Sequence, residues 1–251
     1  MTERLDALTA SVDRLRAVVD GLDAGQLTDS AYPSEWSNAD TLSHLGSGAV
    51  IMDRRLQDLL AGVETPPEAS QAVWDEWNAK SPGAQAADAL AADRALMDRI
   101  AGLTDAERDG MRFAMGPMEF DFDGVVGLRL NEHVLHVWDI EVALDPTATL
   151  APSAVGPVVD RLQMWVRFTA APAADGSVVA VVTTDPTRGF VLTTGPDEVT
   201  LEAGDPSDSP DLALPAEAFA RLVYGRLDPD HTPAVDGAAH LDALRQVFPG
   251  A

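Results

Sequence analysis

Residues 124–143, GVVGLRLNEHVLHVWDIEVA, decide how this chain is read. The run holds no proline and closes at Asp145-Pro146, where the missing N–H of proline and its restriction on the preceding residue stop a helix. At 3.6 residues per turn, Val125, Leu128, Leu135 and Ala143 share a face with Glu132, His136 and Asp139. Polar groups set in an apolar face need partners, because burying an uncompensated one costs on the order of 2–7 kcal/mol, and more for a charge. An isolated Glu-x-x-x-His is ordinarily only a helix-surface pair worth about 0.2–0.5 kcal/mol. What matters is therefore what else converges on that face.

Working outward toward the N-terminus, Leu5, Leu8, Val12, Leu15, Val19 and Leu22 recur three and four apart and predict a first helix, which Gly25 ends. Ser37 with Asp40 three positions on reads as a capping box. It opens a second helix over 38–60 that carries Leu42, Leu45, Ala49, Met52, Leu56 and Leu59 on one side. Pro66-Pro67 breaks the chain, a short segment with Trp74 and Trp77 follows, and Ser81-Pro82 opens a third helix that runs to Leu103. Residues 104–122 are assigned no element. With residues 124–143 as the fourth helix, these make a bundle.

Beyond Leu144 the texture changes. One more apolar helix is predicted around Val155 to Phe168, then β-like runs at 178–182, 190–192 and 199–201, then helices near Ala216 to Tyr224 and Ala238 to Val247. The expected fold class is α+β, with a helical bundle over 1–150 and a smaller α+β domain over 151–251. No internal repeat is evident.

Composition narrows the function. The net charge of −24, from 41 acidic against 17 basic residues, repels phosphate backbones and anionic membranes, so neither nucleic acid nor membrane is an expected partner. No secretory pattern opens the chain and no apolar run approaches a membrane span, which predicts a cytoplasmic location. There is no cysteine, so any thiol chemistry must use a thiol from outside. Gly-rich phosphate loops and a G-x-S-x-G elbow are absent.

On the second helix His44 sits at the edge of the apolar stripe, with small Gly48 one turn on leaving room beside it. In a bundle the second and fourth helices can face each other. His44, Glu132 and His136 then match the three-ligand shell of a catalytic zinc site with its fourth position open, where a bound thiol would lose its proton. Asp139 and Asp40 are candidates for orienting the imidazoles, or else a solvated acid and a helix cap. Trp36, Trp74, Trp77 and Trp138 are more often bundle core than ligand platform, and Trp77 and Asn78 are nevertheless candidates for lining the pocket. His133, His231 and His240 read as structural or solvated.

In this order the chain carries Trp36-Ser37-x-x-Asp40-x-x-x-His44-Leu45, Trp77-Asn78, Arg129-x-x-Glu132-x-x-x-His136-x-Trp138-Asp139-Ile140 and Leu222-Val223-Tyr224-Gly225-Arg226-Leu227. It resembles the mycothiol-dependent maleylpyruvate isomerase family of actinobacteria over essentially its whole length. The resemblance implies a DinB-like four-helix metal domain joined to a small C-terminal α+β domain. It also implies zinc or another divalent ion on His44, Glu132 and His136, mycothiol as the thiol, and Arg226 as a residue acting on substrate charge. The implied reaction is addition of the thiolate to an activated double bond, rotation, and expulsion of the same thiolate as the trans isomer forms. Alternatives are an S-transferase that keeps the thiol in its product and a metal-dependent binding or regulatory protein without turnover.

Overall fold

The computed structural model describes residues 2–32, 35–174 and 176–250. The chain divides into two compact units, Met1–Asp145 and Pro146–Ala251. Among the described residues no helix is long and apolar enough to cross a membrane.

The first unit is built on four long helices, α1 (Glu3–Val19), α2 (Asn38–Ala61), α4 (Pro82–Gly102) and α6 (Phe122–Leu144), with the shorter α3 (Ala69–Asn78) and α5 (Asp105–Asp109) between them. Local chemistry sets the ends. The Ser37 hydroxyl accepts from the Asp40 N–H at 3.1 Å while the Asp40 carboxylate accepts from the Ser37 N–H at 3.0 Å, so two of the helix's unpaired donors are satisfied reciprocally. Ser81 caps α4 with Pro82 in its first turn, and Asp121 caps α6 by accepting from the Gly124 N–H at 2.8 Å. Where the four helices meet, Leu15 of α1, Leu42 and Leu45 of α2, Ala86 and Ala89 of α4, and Val137 and Ile140 of α6 form one buried cluster with Trp77 of α3.

Several elements differ from expectation. Helix α1 closes at Asp20 rather than at Gly25, which instead precedes a 3-10 turn over Gln26–Thr28. Leu22 and Leu27 still pack on the core, so the apolar spacing outlasts the helix. The segment with Trp74 and Trp77 is the helix α3. Residues without a predicted element form α5 and a hairpin of β1 (Phe113–Met115) with β2 (Met118–Phe120), turning at Gly116 with φ of +58°.

The second unit opens with two helices, α7 (Pro152–Val159) and α8 (Leu162–Thr169), where the apolar run predicted one. The break falls at Asp160, whose N–H closes α7 on the Gly156 carbonyl and whose carboxylate takes both guanidinium arms of Arg188. A four-stranded sheet follows, of β3 (Ser177–Thr184), β4 (Arg188–Thr194), β5 (Thr200–Gly204) and β6 (Leu212–Pro215), in the order β5-β4-β3-β6. The first three form an antiparallel meander, and β6 adds parallel to β3. Alternation places Val179, Val181, Phe190 and Leu192 in the core. Helices α9 (Ala216–Val223) and α10 (Leu241–Val247) complete the unit.

Candidate metal centre

Helix α2 carries His44 in its second turn and α6 carries Glu132 and His136 one turn apart. The helices approach so that His44 Nε2 lies 3.1 Å and His136 Nε2 3.8 Å from the same oxygen, Glu132 Oε2. Among the described residues this is the one group of three or more His, Cys, Asp or Glu side chains whose donor atoms converge, all within 4.8 Å of one another. Donors about 2.0–2.2 Å from a shared tetrahedral zinc lie roughly 3.3–3.6 Å apart, so two nitrogens and a carboxylate oxygen at these separations fit a divalent ion with small side-chain adjustment. Exposure grades across the set: the His136 side chain is 12% exposed, His44 38% and Glu132 42%. Glu132 and His44 thus form the open edge, and His136 the closed one.

Asp139, fully buried, stands 2.8 Å from His136 Nδ1. With the Nδ1 proton donated to that carboxylate, the Nε2 lone pair is left facing Glu132, the arrangement by which outer carboxylates fix a ligand imidazole's tautomer. Of the two readings open for Asp40, an acid orienting an imidazole or a helix cap, the structure shows the cap. Asp40 is exposed and committed to Ser37, accepting from its N–H and, at 2.7 Å, from its hydroxyl, so it is a helix cap. At Glu132 partial burial pushes the carboxyl up, but the hydrogen bond from His44 and the positive charge nearby, Arg129 included, outweigh it and hold the group at about 2. It is ionised throughout the neutral range.

Behind the donors lies a polar network that the sequence reading did not find. Asp93 of α4 accepts from Arg129 Nη2 at 2.5 Å and stands 3.1 Å from His133 Nε2; the His133 Nδ1 is 2.8 Å from the Ser11 hydroxyl; and Arg129 Nη2 also donates to the Leu45 carbonyl at 2.9 Å. Ser11, Asp93, Arg129 and His133 are all buried, so one network ties α1, α2, α4 and α6. Burial holds the His133 imidazole below its usual range against the opposing charge of Asp93, which makes it a neutral ring that donates to Asp93 and accepts from Ser11. Its structural reading holds. A signal for Asp93 was present, since 86, 89, 93, 96 and 100 are the inward positions of α4 and a carboxylate stands among alanines, leucine and isoleucine. The space at Gly48 is used by this network: a Cβ there would lie 3.2 Å from Arg129 Nη1.

Of the remaining candidates, Trp77 is buried in the core cluster with Lys80 over its ring at 3.8 Å, and Asn78 is exposed at the end of α3. Gly46 makes the Trp77 packing possible, because a Cβ would sit 2.2 Å from the indole and 2.9 Å from the Ala89 Cα. Arg226 lies just past α9, half-buried, and its Nη1 donates to the Tyr224 carbonyl at 2.9 Å. Gly225 before it has φ of +68° and lies so close to Gly250 that a Cβ would come within 2.2 Å. His231 is bonded to Asp228.

The bundle, its convergent His-Glu-His set and the small α+β unit define a class, that of helical-bundle proteins with a metal-competent centre and an appended mixed domain. The family model described as "Mycothiol maleylpyruvate isomerase N-terminal domain" matches residues 8–141, and the chain belongs to that family. Two solved structures share the fold. One is described as the crystal structure of the mycothiol-dependent maleylpyruvate isomerase and the other as that of a histidine-to-alanine mutant of it; each has a TM-score of 0.67 and 14% identity over 89% of this chain and 88% of that chain. No curated protein matches the chain in sequence.

Proposed function

We propose that the chain is a metal-dependent enzyme that activates a low-molecular-weight thiol, mycothiol, for addition to an electrophilic substrate, as in the cis–trans isomerisation of maleylpyruvate. The observation that carries this is the convergence of His44, Glu132 and His136 in a family member that has no cysteine of its own. A divalent ion such as zinc, held by these three side chains, supplies Lewis acidity and keeps an incoming thiol deprotonated near neutral pH.

The chain's own residues prepare that chemistry. Asp139 holds the Nδ1 proton of His136 and so leaves the Nε2 lone pair to serve as a metal ligand. Glu132, ionised, supplies negative charge that favours a dication over a proton. The Arg129–Asp93–His133–Ser11 network fixes the turn of α6 from which Glu132 projects. Arg226 is assigned the substrate's carboxylate or enolate charge on the strength of the family resemblance; Trp77, expected to line the pocket, is instead sealed in the core cluster and packs the bundle. On this reading residues 1–150 are the metal-binding domain, and the partners are a cytoplasmic thiol and a small electrophile.

The test is the fate of the thiol. Enzyme with mycothiol and maleylpyruvate forms the trans isomer over many turnovers while free thiol stays constant. Loss of one thiol per product, followed by mass spectrometry, assigns S-transfer instead. Turnover without added thiol refutes both, because the protein has no sulfur nucleophile of its own.

A further inference from the structure

Trp36 opens the motif that leads into α2, and the metal reading leaves it without a role. Its indole lies against both histidines of the donor set, stacked on His136 at 5.9 Å between centroids and 20° between planes, and tilted against His44 at 5.3 Å and 46°. The two imidazoles meet edge-on at 4.5 Å. Trp36 is not a core residue, since 36% of it is exposed.

Its placement is over-determined. The Ala31 N–H donates to the Trp36 carbonyl at 2.8 Å, Ser30 pairs with Ser37 in an antiparallel bridge, and the Tyr32 N–H donates to the Asp139 carbonyl at 3.0 Å. The Tyr32 ring also meets Trp138 edge-on at 5.2 Å. Asp139 therefore anchors His136 through its carboxylate and, through its carbonyl, the segment that carries Trp36. The next residue, Ser37, is the cap of the helix that bears His44.

The two imidazoles are held differently. His136 has a carboxylate on Nδ1. Among the described residues the His44 ring has Glu132 as its one hydrogen-bond partner, and Trp36 and His136 are the rings packed on it. Asp139 bears on His136 by a hydrogen bond that sets its tautomer, whereas the indole bears on His44 by packing alone, which limits how the ring can turn.

Building on the metal reading above, we propose that Trp36 is a positioning residue of the metal centre: its indole sets the His44 and His136 imidazoles for metal binding and screens one side of the centre from water. The experiment titrates metal-free protein with Zn2+ against a chromogenic chelator and with Co2+ by absorption. It compares wild type, His44→Ala, Trp36→Ala and Trp36→Phe, with melting followed in excess chelator. Trp36→Ala is expected to bind Zn2+ about 10- to 100-fold more weakly, the scale for losing a residue that orients a ligand, and to shift the Co2+ spectrum with metal-free melting unchanged. Trp36→Phe, which keeps a ring in place, should recover most of the affinity. Wild-type affinity and an unchanged Co2+ spectrum in Trp36→Ala would overturn the role of Trp36 and leave the metal centre standing. Failure of wild type to bind either ion would overturn the metal reading and this role together. If Trp36→Ala melts early without metal, the phenylalanine variant decides: recovered affinity supports the role, and affinity as weak as that of the alanine variant overturns it.

Discussion

Replacing Asp93 with asparagine removes one charge, with little change of shape, from the point where α4 meets α6. Burial pushes the Asp93 carboxyl up, yet the charge of Arg129 and the hydrogen bonds from His133 and Arg129 hold it at about 2, against an ordinary value of 3.8. That depression corresponds to roughly 2 kcal/mol of stability at neutral pH. The sign follows from the lowered folded value: the contribution is complete above about pH 4, where the unfolded carboxyl is already ionised, and is lost as pH falls toward 2. Asparagine carries no charge to stabilise and also leaves Arg129 buried without a counter-charge, for which breaking a buried pair costs about 3–5 kcal/mol. The two figures describe the same interaction and do not add. Unfolding of Asp93→Asn in urea should therefore show a loss of about 2–5 kcal/mol at pH 7, and the gap to wild type should narrow as pH falls from 4 to 2. Tryptophan fluorescence suits the assay, because Trp36, Trp74, Trp77 and Trp138 all lie in the first unit. A variant within about 0.5 kcal/mol of wild type at pH 7, the range of ordinary surface changes, would refute the claim that this network clamps the bundle.

Purified protein should carry close to one divalent ion per chain; His44→Ala should largely abolish it, chelation should lower the wild-type melting temperature because binding is coupled to folding, and full occupancy in the variant would remove the site. Gly46→Ala should destabilise the first unit by urea unfolding. The overlap with Trp77 and the Ala89 backbone costs about 1–3 kcal/mol, more than the roughly 1 kcal/mol that alanine gains in a helix, and a stabilised variant would show that α2 and α4 are not in this contact. Arg226→Lys should keep metal and fold but lower turnover about tenfold or more, since a point charge does not replace a bidentate fork; unchanged turnover would take Arg226 out of the mechanism.

The elements legible from the residues alone were those written in short-range chemistry. The Ser37–Asp40 capping box, the Ser81-Pro82 start and the Asp145-Pro146 stop act within four residues of each other, and the core stripes of α1, α2 and α6 repeat every three to four. The donors Glu132 and His136 were legible for the same reason, being one turn apart on a single helix. His44 needed the further inference that α2 faces α6.

Other features depended on partners far away in the chain. Strand β6 is four residues long and exists because β3 offers it a parallel edge. The predicted single helix breaks at Asp160, where the carboxylate meets Arg188 of β4, a partner 28 positions away. Asp93 becomes a clamp only when Arg129 and His133 arrive 36 and 40 positions later, and Trp36 reaches both imidazoles because α2 and α6 bring His44 and His136 together beside it. Helical periodicity and capping are properties of neighbouring residues and can be read in sequence order. The pairing of buried charges and rings is settled by which helices pack together, and that the tertiary structure alone decided.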